Sequence, residues 1–231
     1  MLHKVGDTCL INIDSLELSY GSDGFRLSIP QLKINNTEKV AIIGPSGSGK
    51  TSLLKLISGI ILPQKGEISI AGVTVNQLSD AERRDYRITN IGFIFQDFEL
   101  LDYLSVQDNI LHPFRITQAL KIDSQVRSRA QELAEELGIA NKMRRLTDTL
   151  SQGEKQRTAI CRAMMTSPKL ILADEATGNL DPSNKTKILD TLFRTTDKNK
   201  ATLIAVTHDH ELLERFDRVI DFKQYCELEA V

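Results

Sequence analysis

One stretch decides the fold, and it reads Lys39-Val40-Ala41-Ile42-Ile43-Gly44-Pro45-Ser46-Gly47-Ser48-Gly49-Lys50-Thr51. Residues 40–43 are a short apolar run typical of a buried strand, and residues 51–57 carry helical apolar spacing. Between them, Gly44-x-x-x-x-Gly49-Lys50-Thr51 matches the phosphate-binding loop pattern, in the strand–loop–helix setting that this loop requires. The alternative is a glycine- and serine-rich turn before an ordinary helix, which the flanking elements disfavour. The stretch therefore predicts a site for a nucleoside triphosphate.

Each residue type in this loop has a chemical reason. Glycines let the backbone bend so that successive N–H groups point at phosphate oxygens, at the positive end of a helix dipole. Lys50 supplies a cation for the β- and γ-phosphates, and the Thr51 hydroxyl is a hard oxygen ligand for Mg²⁺. The sequence therefore predicts bound ATP with Mg²⁺.

Length, charge and cysteine content exclude several function classes. The 231 residues suit one domain with room for a subdomain, and the net charge of -2 predicts no nucleic-acid partner. The three cysteines (Cys9, Cys161 and Cys226) show no CxxC spacing, which favours a reducing compartment and no metal site of their own. No apolar run approaches the roughly 20 residues that span a bilayer, so we expect any membrane role to come through a partner subunit.

The chain divides into regions of different periodicity. Residues 11–13, 16–20, 25–29 and 32–34 alternate apolar and polar positions, which predicts antiparallel strands ahead of the phosphate loop. Residues 97–149 are helical in character, with Asp123 as the predicted N-cap and Gly138 as the end of one helix. This pattern predicts a helical insertion into an α/β core.

Four apolar strands, at residues 40–43, 91–95, 170–173 and 203–206, are each followed by polar residues. In open parallel sheets, ligands bind outside the carboxyl ends of the strands, so we expect these polar residues to gather at the phosphate loop. They are Gln96, Asp174, Glu175 and His208.

These residues have both functional and ordinary interpretations. Asp174 is placed to hold Mg²⁺, and Glu175 to orient and deprotonate an attacking water, although two acids can also end a strand in solvent. His208 could hydrogen-bond a γ-phosphate or could be a polar residue in a strand-to-helix turn, and Gln96 by itself is a weaker indication of function than His208. Ser151 begins a Ser-x-x-Glu capping box, yet a helix N-terminus with a hydroxyl also suits an anion.

The assembled motifs resemble the nucleotide-binding subunit of an ABC transporter. The discriminating motif is Leu150-Ser151-Gln152-Gly153-Glu154, because other phosphate-loop ATPases lack it. The runs at residues 93–101 and 173–181 are similar to the macrolide-exporter, lipoprotein-releasing and cell-division (FtsE-like) branch. Two positions depart from the usual pattern of the family. In the motif at residues 150–154, called the signature motif below, Gln152 replaces the usual first glycine, and Ala176 replaces the usual proline after the catalytic glutamate.

The resemblance implies a role for each matching residue. Tyr20 would stack on adenine, and Asp181 would couple two nucleotide sites. Ser151 and Gly153 would contact the γ-phosphate bound to the opposite protomer, and His208 would sense the γ-phosphate. Gln96 would touch Mg²⁺ and the attacking water, Asp174 would support Mg²⁺, and Glu175 would be the general base. The phosphates would be held by the whole loop: Gly44, Pro45, Ser46, Gly47, Ser48, Gly49, Lys50 and Thr51.

The resemblance also implies the architecture: an α/β fold with a RecA-like P-loop NTPase core, an antiparallel β-subdomain and a helical subdomain. We expect one ABC ATP-binding domain over residues 1–231, with the core and β-subdomain at about 1–96 and 159–231 and the helical subdomain at 97–158. Two such chains would sandwich two ATP molecules head to tail.

The expected function is an ATPase, converting ATP and water to ADP and phosphate, that drives a separate integral membrane permease. It would lie peripherally on the cytoplasmic face of the inner membrane and serve export or the extraction of lipid or lipoprotein. The surface around residues 96–104 would face the permease.

Three alternatives remain. One is an FtsE-like regulatory ATPase acting on a cell-division or cell-wall partner, which only the partner would distinguish. A soluble ABC ATPase of DNA repair would need a long coiled-coil or zinc insertion, and one of translation usually has two tandem cassettes. This sequence shows neither feature. A phosphate-loop kinase leaves residues 150–154 unexplained.

Overall fold

The computed structural model describes residues 9–19, 25–176 and 182–227. Within those ranges the strands are β1 (Cys9–Ser19), β2 (Arg26–Asn35), β3 (Lys39–Ile43), β4 (Lys65–Ile70), β5 (Val73–Thr74), β6 (Ile91–Ile94), β7 (Leu170–Asp174), β8 (Thr202–Val206), β9 (Arg218–Asp221) and β10 (Cys226–Glu227). The α-helices are α1 (Lys50–Ile57), α2 (Asp80–Asn90), α3 (Val106–Ile110), α4 (Ser124–Glu136), α5 (Gln152–Met164) and α6 (Pro182–Lys198). No helix within these ranges is both long and apolar enough to cross a membrane.

A parallel sheet of order β6-β7-β8-β3-β9 forms the centre of the core. The four predicted apolar strands are its first four members, and the sequence analysis did not assign β9, in which only Ile220 is buried. Successive residues of a strand point to opposite faces, so Ile171 and Ala173 join one hydrophobic cluster while Leu170 and Leu172 join the other. The sheet is therefore buried on both faces, as its apolar strands predict.

The antiparallel sheet, of order β10-β2-β1-β4-β5, covers one face of the parallel sheet. The predicted antiparallel strands are confirmed: the alternating segments at 11–13 and 16–19 lie in β1, and those at 26–29 and 32–34 lie in β2. β1 contains a bulge, where Ser15 has a φ of 50° and the pairing with β4 shifts register between Asp14 and Glu17. Gly66 is needed opposite this bulge, since a Cβ there would lie 2.5 Å from the Asp14 and Ser15 carbonyl oxygens.

The region at 97–149 holds α3, α4 and three short 3₁₀ turns, joined by irregular segments, and it contributes no strand to either sheet. Asp123 caps α4 by accepting a hydrogen bond from the Val126 N–H at 2.8 Å, and Gly138 ends it with a φ of 71°. α5 then packs against β6 at Gly92, where a Cβ would lie 2.4 Å from the Ala163 carbonyl oxygen. α5 runs continuously across residue 158, and the predicted subdomain boundary at that residue stays a prediction.

Candidate functional site

A cleft of about 610 Å³ lies at the carboxyl ends of β3, β6, β7 and β8. Its size suits a ligand as large as a nucleotide. The described residues that line it are Phe25, Ser46, Gly47, Gly49, Lys50, Thr51, Ser52, Gln96, Glu175 and His208. Parallel strands bring these segments together although they are far apart in sequence. Of the polar residues predicted to gather at the phosphate loop, Gln96, Glu175 and His208 line the cleft, whereas Asp174 is buried at the end of β7 and is not among the lining residues.

The phosphate loop runs from the end of β3 into the first turn of α1. Gly49 precedes the helix with a φ of 92°, and a Cβ at this position would lie 2.3 Å from the ring of Phe25. No acidic residue occupies the first turn of α1, so its free N–H groups and the helix dipole favour an anion. The loop therefore has the conformation and the electrostatics that phosphate requires.

Lys50 is held inside the loop. Its ammonium donates hydrogen bonds to the carbonyl oxygens of Gly44, at 2.9 Å, and Pro45, at 2.7 Å. Burial lowers the pKa of Lys50, and the nearby Glu175 and Asp174 carboxylates oppose that shift. Ser48 is fully buried, and its hydroxyl has no hydrogen-bond partner among the described residues.

Asp174 and Thr51 form the pair predicted to hold a cation. Asp174 is only 6% exposed, and its carboxylate Oδ1 has no hydrogen-bond partner within the described chain. Burial raises the pKa of Asp174, and the Thr51 hydroxyl beside the carboxylate opposes that shift. A buried carboxylate oxygen without a partner beside a hydroxyl suits a hard cation such as Mg²⁺, so the residues present fit that ion.

Glu175 and His208 contact each other across the cleft, with His208 Nε2 2.8 Å from Glu175 Oε1. Glu175 has a φ of 46°, a conformation that costs a residue other than glycine about 1–3 kcal/mol. Its N–H donates to the carbonyl oxygen of Val206 at 3.1 Å, which ties the strained turn to the neighbouring strand β8. The strain turns Glu175 into the cleft, where its carboxylate can meet a water molecule.

Ser151 and Gly153 are not among the residues that line this cleft. The Ser151 hydroxyl accepts from the Glu154 N–H and donates to Glu154 Oε2 at 3.1 Å, so the predicted capping box is present. Lys142 pairs with the other carboxylate oxygen of Glu154 at 3.0 Å. The first turn of α5, with an exposed Ser151, therefore presents its hydroxyl at the surface rather than to the phosphate loop of the same chain.

Three further points complete the comparison with the predicted site. Tyr20 and Asp181 lie outside the described residues. Phe25 and Ser52 line the cleft and were not predicted to do so. Ser52 directly follows the loop motif, so its position in the sequence indicates that it lies near the site. Phe25 directly precedes β2 and comes near the loop only because β2 pairs within its sheet, which no local sequence pattern predicts.

Comparisons with known proteins agree with this geometry. Residues 27–178 match the family described as ABC transporter. The chain is 38% identical to the lipoprotein-releasing system ATP-binding protein LolD 1 of Rhodopirellula baltica, covering 91% of this chain and 94% of that protein. It is also 38% identical to the macrolide export ATP-binding/permease protein MacB of the same organism, over 83% of this chain but only 28% of that longer protein.

A solved structure shows the same fold. The ATP-binding cassette MJ0796, in a dimeric post-hydrolysis state bound to ADP and Pi, superposes with a TM-score of 0.81 at 29% identity, over 92% of this chain and 94% of that one. The phosphate loop, the two sheets and the relatives point to one conclusion. The chain belongs to the ABC transporter family, as one of its ATP-hydrolysing ATP-binding subunits.

Proposed function

We propose that this chain works as a head-to-tail pair with a second copy, and that the pair drives a separate integral membrane permease. The permease would export a substrate or extract lipid or lipoprotein, with the ATPase bound peripherally at the cytoplasmic face of the inner membrane. The observation that carries the proposal is the cleft in which Lys50, Gln96, Glu175 and His208 meet around the phosphate loop.

The phosphate loop binds the nucleotide in this proposal. The N–H groups of residues 44–51 hold the β- and γ-phosphates, and Lys50 exchanges its two loop carbonyls for phosphate oxygens. Thr51, Asp174 and Gln96 would hold Mg²⁺, which when bound offsets negative charge on the phosphates. The unpaired Oδ1 of Asp174 supports this assignment.

Glu175 acts on the attacking water. Its carboxylate accepts the water proton as general base, and His208 orients that carboxylate and then senses the γ-phosphate. Phosphoryl transfer leaves the protein little covalent chemistry to perform, so this positioning supplies most of the rate.

A second copy completes the site. In this proposal the exposed Ser151 hydroxyl, which bonds to Glu154 in the single chain, and the N–H groups at the start of α5 would meet an anion held by another chain. The solved relative MJ0796 is itself dimeric with ADP and Pi bound, which supports this arrangement. Tyr20, at the adenine, and Asp181, between the two sites, belong to the same proposal.

A groove beside Gln96 is the proposed surface for the permease, between the core and the helical subdomain at 97–158. It has a volume of about 220 Å³ and is lined chiefly by apolar side chains, among them Ile60, Ile88, Phe95 and Ile116. Ile60 is 42% exposed and Ile116 is 56% exposed, so burial against a partner would remove apolar surface from water. The name of MacB, which joins ATP-binding and permease functions, also favours a permease partner.

Isolation of the tagged chain from its native membranes in mild detergent tests the proposal. We expect a multispanning protein to copurify and to stimulate ATP hydrolysis. Ile116→Asp should release that protein, whereas Val219→Asp, a matched change at an exposed site outside the groove, should retain it.

Two results would contradict the proposal. A cell-division partner without a transport pathway would favour the regulatory FtsE-like alternative. Recovery of the chain without any membrane protein would refute the permease.

A further inference from the structure

The turn that follows Gln96 is held in an unfavourable backbone conformation. Phe98 has a φ of 64° and Glu99 a φ of 48°, two successive left-handed residues of which neither is glycine. Only two short local hydrogen bonds close the turn, from the Phe98 N–H to the Phe95 carbonyl and from the Glu99 N–H to the Asp97 carbonyl. Such a turn persists only when surrounding groups hold it.

Arg162 supplies that support from α5. Its Nη2 donates to the carbonyl oxygen of Phe98 at 2.5 Å, and its Nη1 donates to the carbonyl oxygen of Glu99. The planar guanidinium therefore spans the carbonyls of the two strained residues, which a lysine ammonium would not do with the same geometry. Phe98 is itself 6% exposed, so its side chain is buried.

α5 connects this support to the start of the signature motif. Ser151 caps the N-terminus of α5, and Arg162 lies in its last turn, about 16 Å further along the helix axis. One rigid element thus holds both the hydroxyl proposed for the partner's nucleotide and the turn that carries Gln96 toward its own nucleotide.

The geometry points to Arg162 as a positioning residue for hydrolysis, which fixes Gln96 in the cleft by clamping the carbonyls of Phe98 and Glu99. This inference rests on the proposed role of Gln96. Arg162 touches neither nucleotide nor water in this scheme and acts only through the turn.

The test measures ATP turnover by the full chain with Arg162→Met, alone and combined with Gln96→Ala. Arg162→Met should lower kcat at least about tenfold while KM for ATP changes little, because the phosphate loop is untouched. In the Gln96→Ala background the same change should lower kcat by less than about twofold, since the group being positioned is already gone. Arg162→Lys should recover only part of kcat.

Arg129→Met is the matched control. Arg129 also clamps carbonyls at the C-terminal end of α5, donating to Met165 O at 3.1 Å and to Met164 O at 3.0 Å, away from the Gln96 turn. We expect Arg129→Met to lower the melting temperature as Arg162→Met does, but to leave kcat within about twofold of wild type.

Several outcomes would overturn the inference. They are an unchanged kcat in Arg162→Met, an equal loss of kcat in the presence and absence of Gln96, or an equal loss in Arg129→Met. A Gln96→Ala variant with wild-type kcat would also overturn it, whereas the permease proposal, tested by copurification, would stand.

Discussion

Replacing Gly92 by alanine would place a methyl group where α5 passes closest to the parallel sheet. The new Cβ would lie 2.4 Å from the Ala163 carbonyl oxygen and 2.9 Å from Ile171 Cδ1. Ordinary contact begins at 3.4 Å, so α5 and β6 must separate by about 1 Å. The backbone oxygen of a helix cannot move aside by itself, so we expect the whole helix to shift.

The shift should cost both stability and turnover. Overpacking of this kind costs about 1–3 kcal/mol, and each kcal/mol lowers the melting temperature of a chain this size by about 2–4 °C. α5 carries Ser151 at one end and Arg162 near the other, and a misplacement of about 1 Å can cost up to about a hundredfold in rate. ATP affinity should change little, because Lys50 and Thr51 lie on α1.

Thermal unfolding followed by circular dichroism, ATP turnover by phosphate release, and nucleotide binding by fluorescence would measure the three effects. Gly138→Ala is the control, since Gly138 has a φ of 71° but open space around its Cβ position. It should lower the melting temperature through backbone strain alone and leave kcat near wild type. Ile171→Val should relieve part of the Gly92→Ala defect.

The reasoning would be refuted if Gly92→Ala melted and hydrolysed ATP like wild type. An equal loss of kcat in Gly138→Ala would also refute it, because the effect would then be a general consequence of lost stability.

Three further predictions concern single residues. Glu175→Gln should keep ATP binding, lose turnover by about 10²–10⁴-fold and accumulate as an ATP-bound dimer in size-exclusion chromatography; a monomer with ATP would contradict the paired site. Asp174→Asn should stabilise the nucleotide-free protein in EDTA, since burial raises the pKa of Asp174 and so makes its charged form costly. For the same reason, wild type should lose stability as the pH rises from the ordinary pKa of an aspartate through the raised pKa of Asp174. Equal denaturation curves for wild type and Asp174→Asn above that pH range would contradict the predicted destabilisation by the buried charge. Ser79→Ala should cost about 0.5–2 kcal/mol in urea denaturation by removing the capping box on α2, with ATP turnover unchanged; a drop in turnover would mean that α2 reaches the site.

Local chemistry explains which features the sequence predicted. The phosphate loop, the capping boxes at Ser79 and Ser151, and the buried strands β7 and β8 each depend on neighbours within a few residues. The capping hydrogen bonds close within a few residues, and the apolar runs of the strands are continuous in sequence, so the pattern predicts them directly. The polar ends of four apolar strands also predicted the cleft, because parallel strands place their carboxyl ends at one edge.

Contacts between distant segments could not be predicted in this way. The short strand β9 forms only by pairing with β3, and the bulge in β1 needs Gly66 opposite it. The Arg162 clamp joins residues that lie more than 60 positions apart, and no periodicity encodes it.

The sequence by itself thus determined the phosphate loop, the types of the main elements and the candidate residues for the chemistry, because these follow from short-range propensity and from the chemistry of each side chain. Only the tertiary structure decided that Glu175 contacts His208, that Phe25 lies against Gly49 of the phosphate loop, and that Ser151 does not line the cleft of its own chain. The physical reason is that packing of the two sheets and α5 sets those directions, and packing depends on many distant side chains at once.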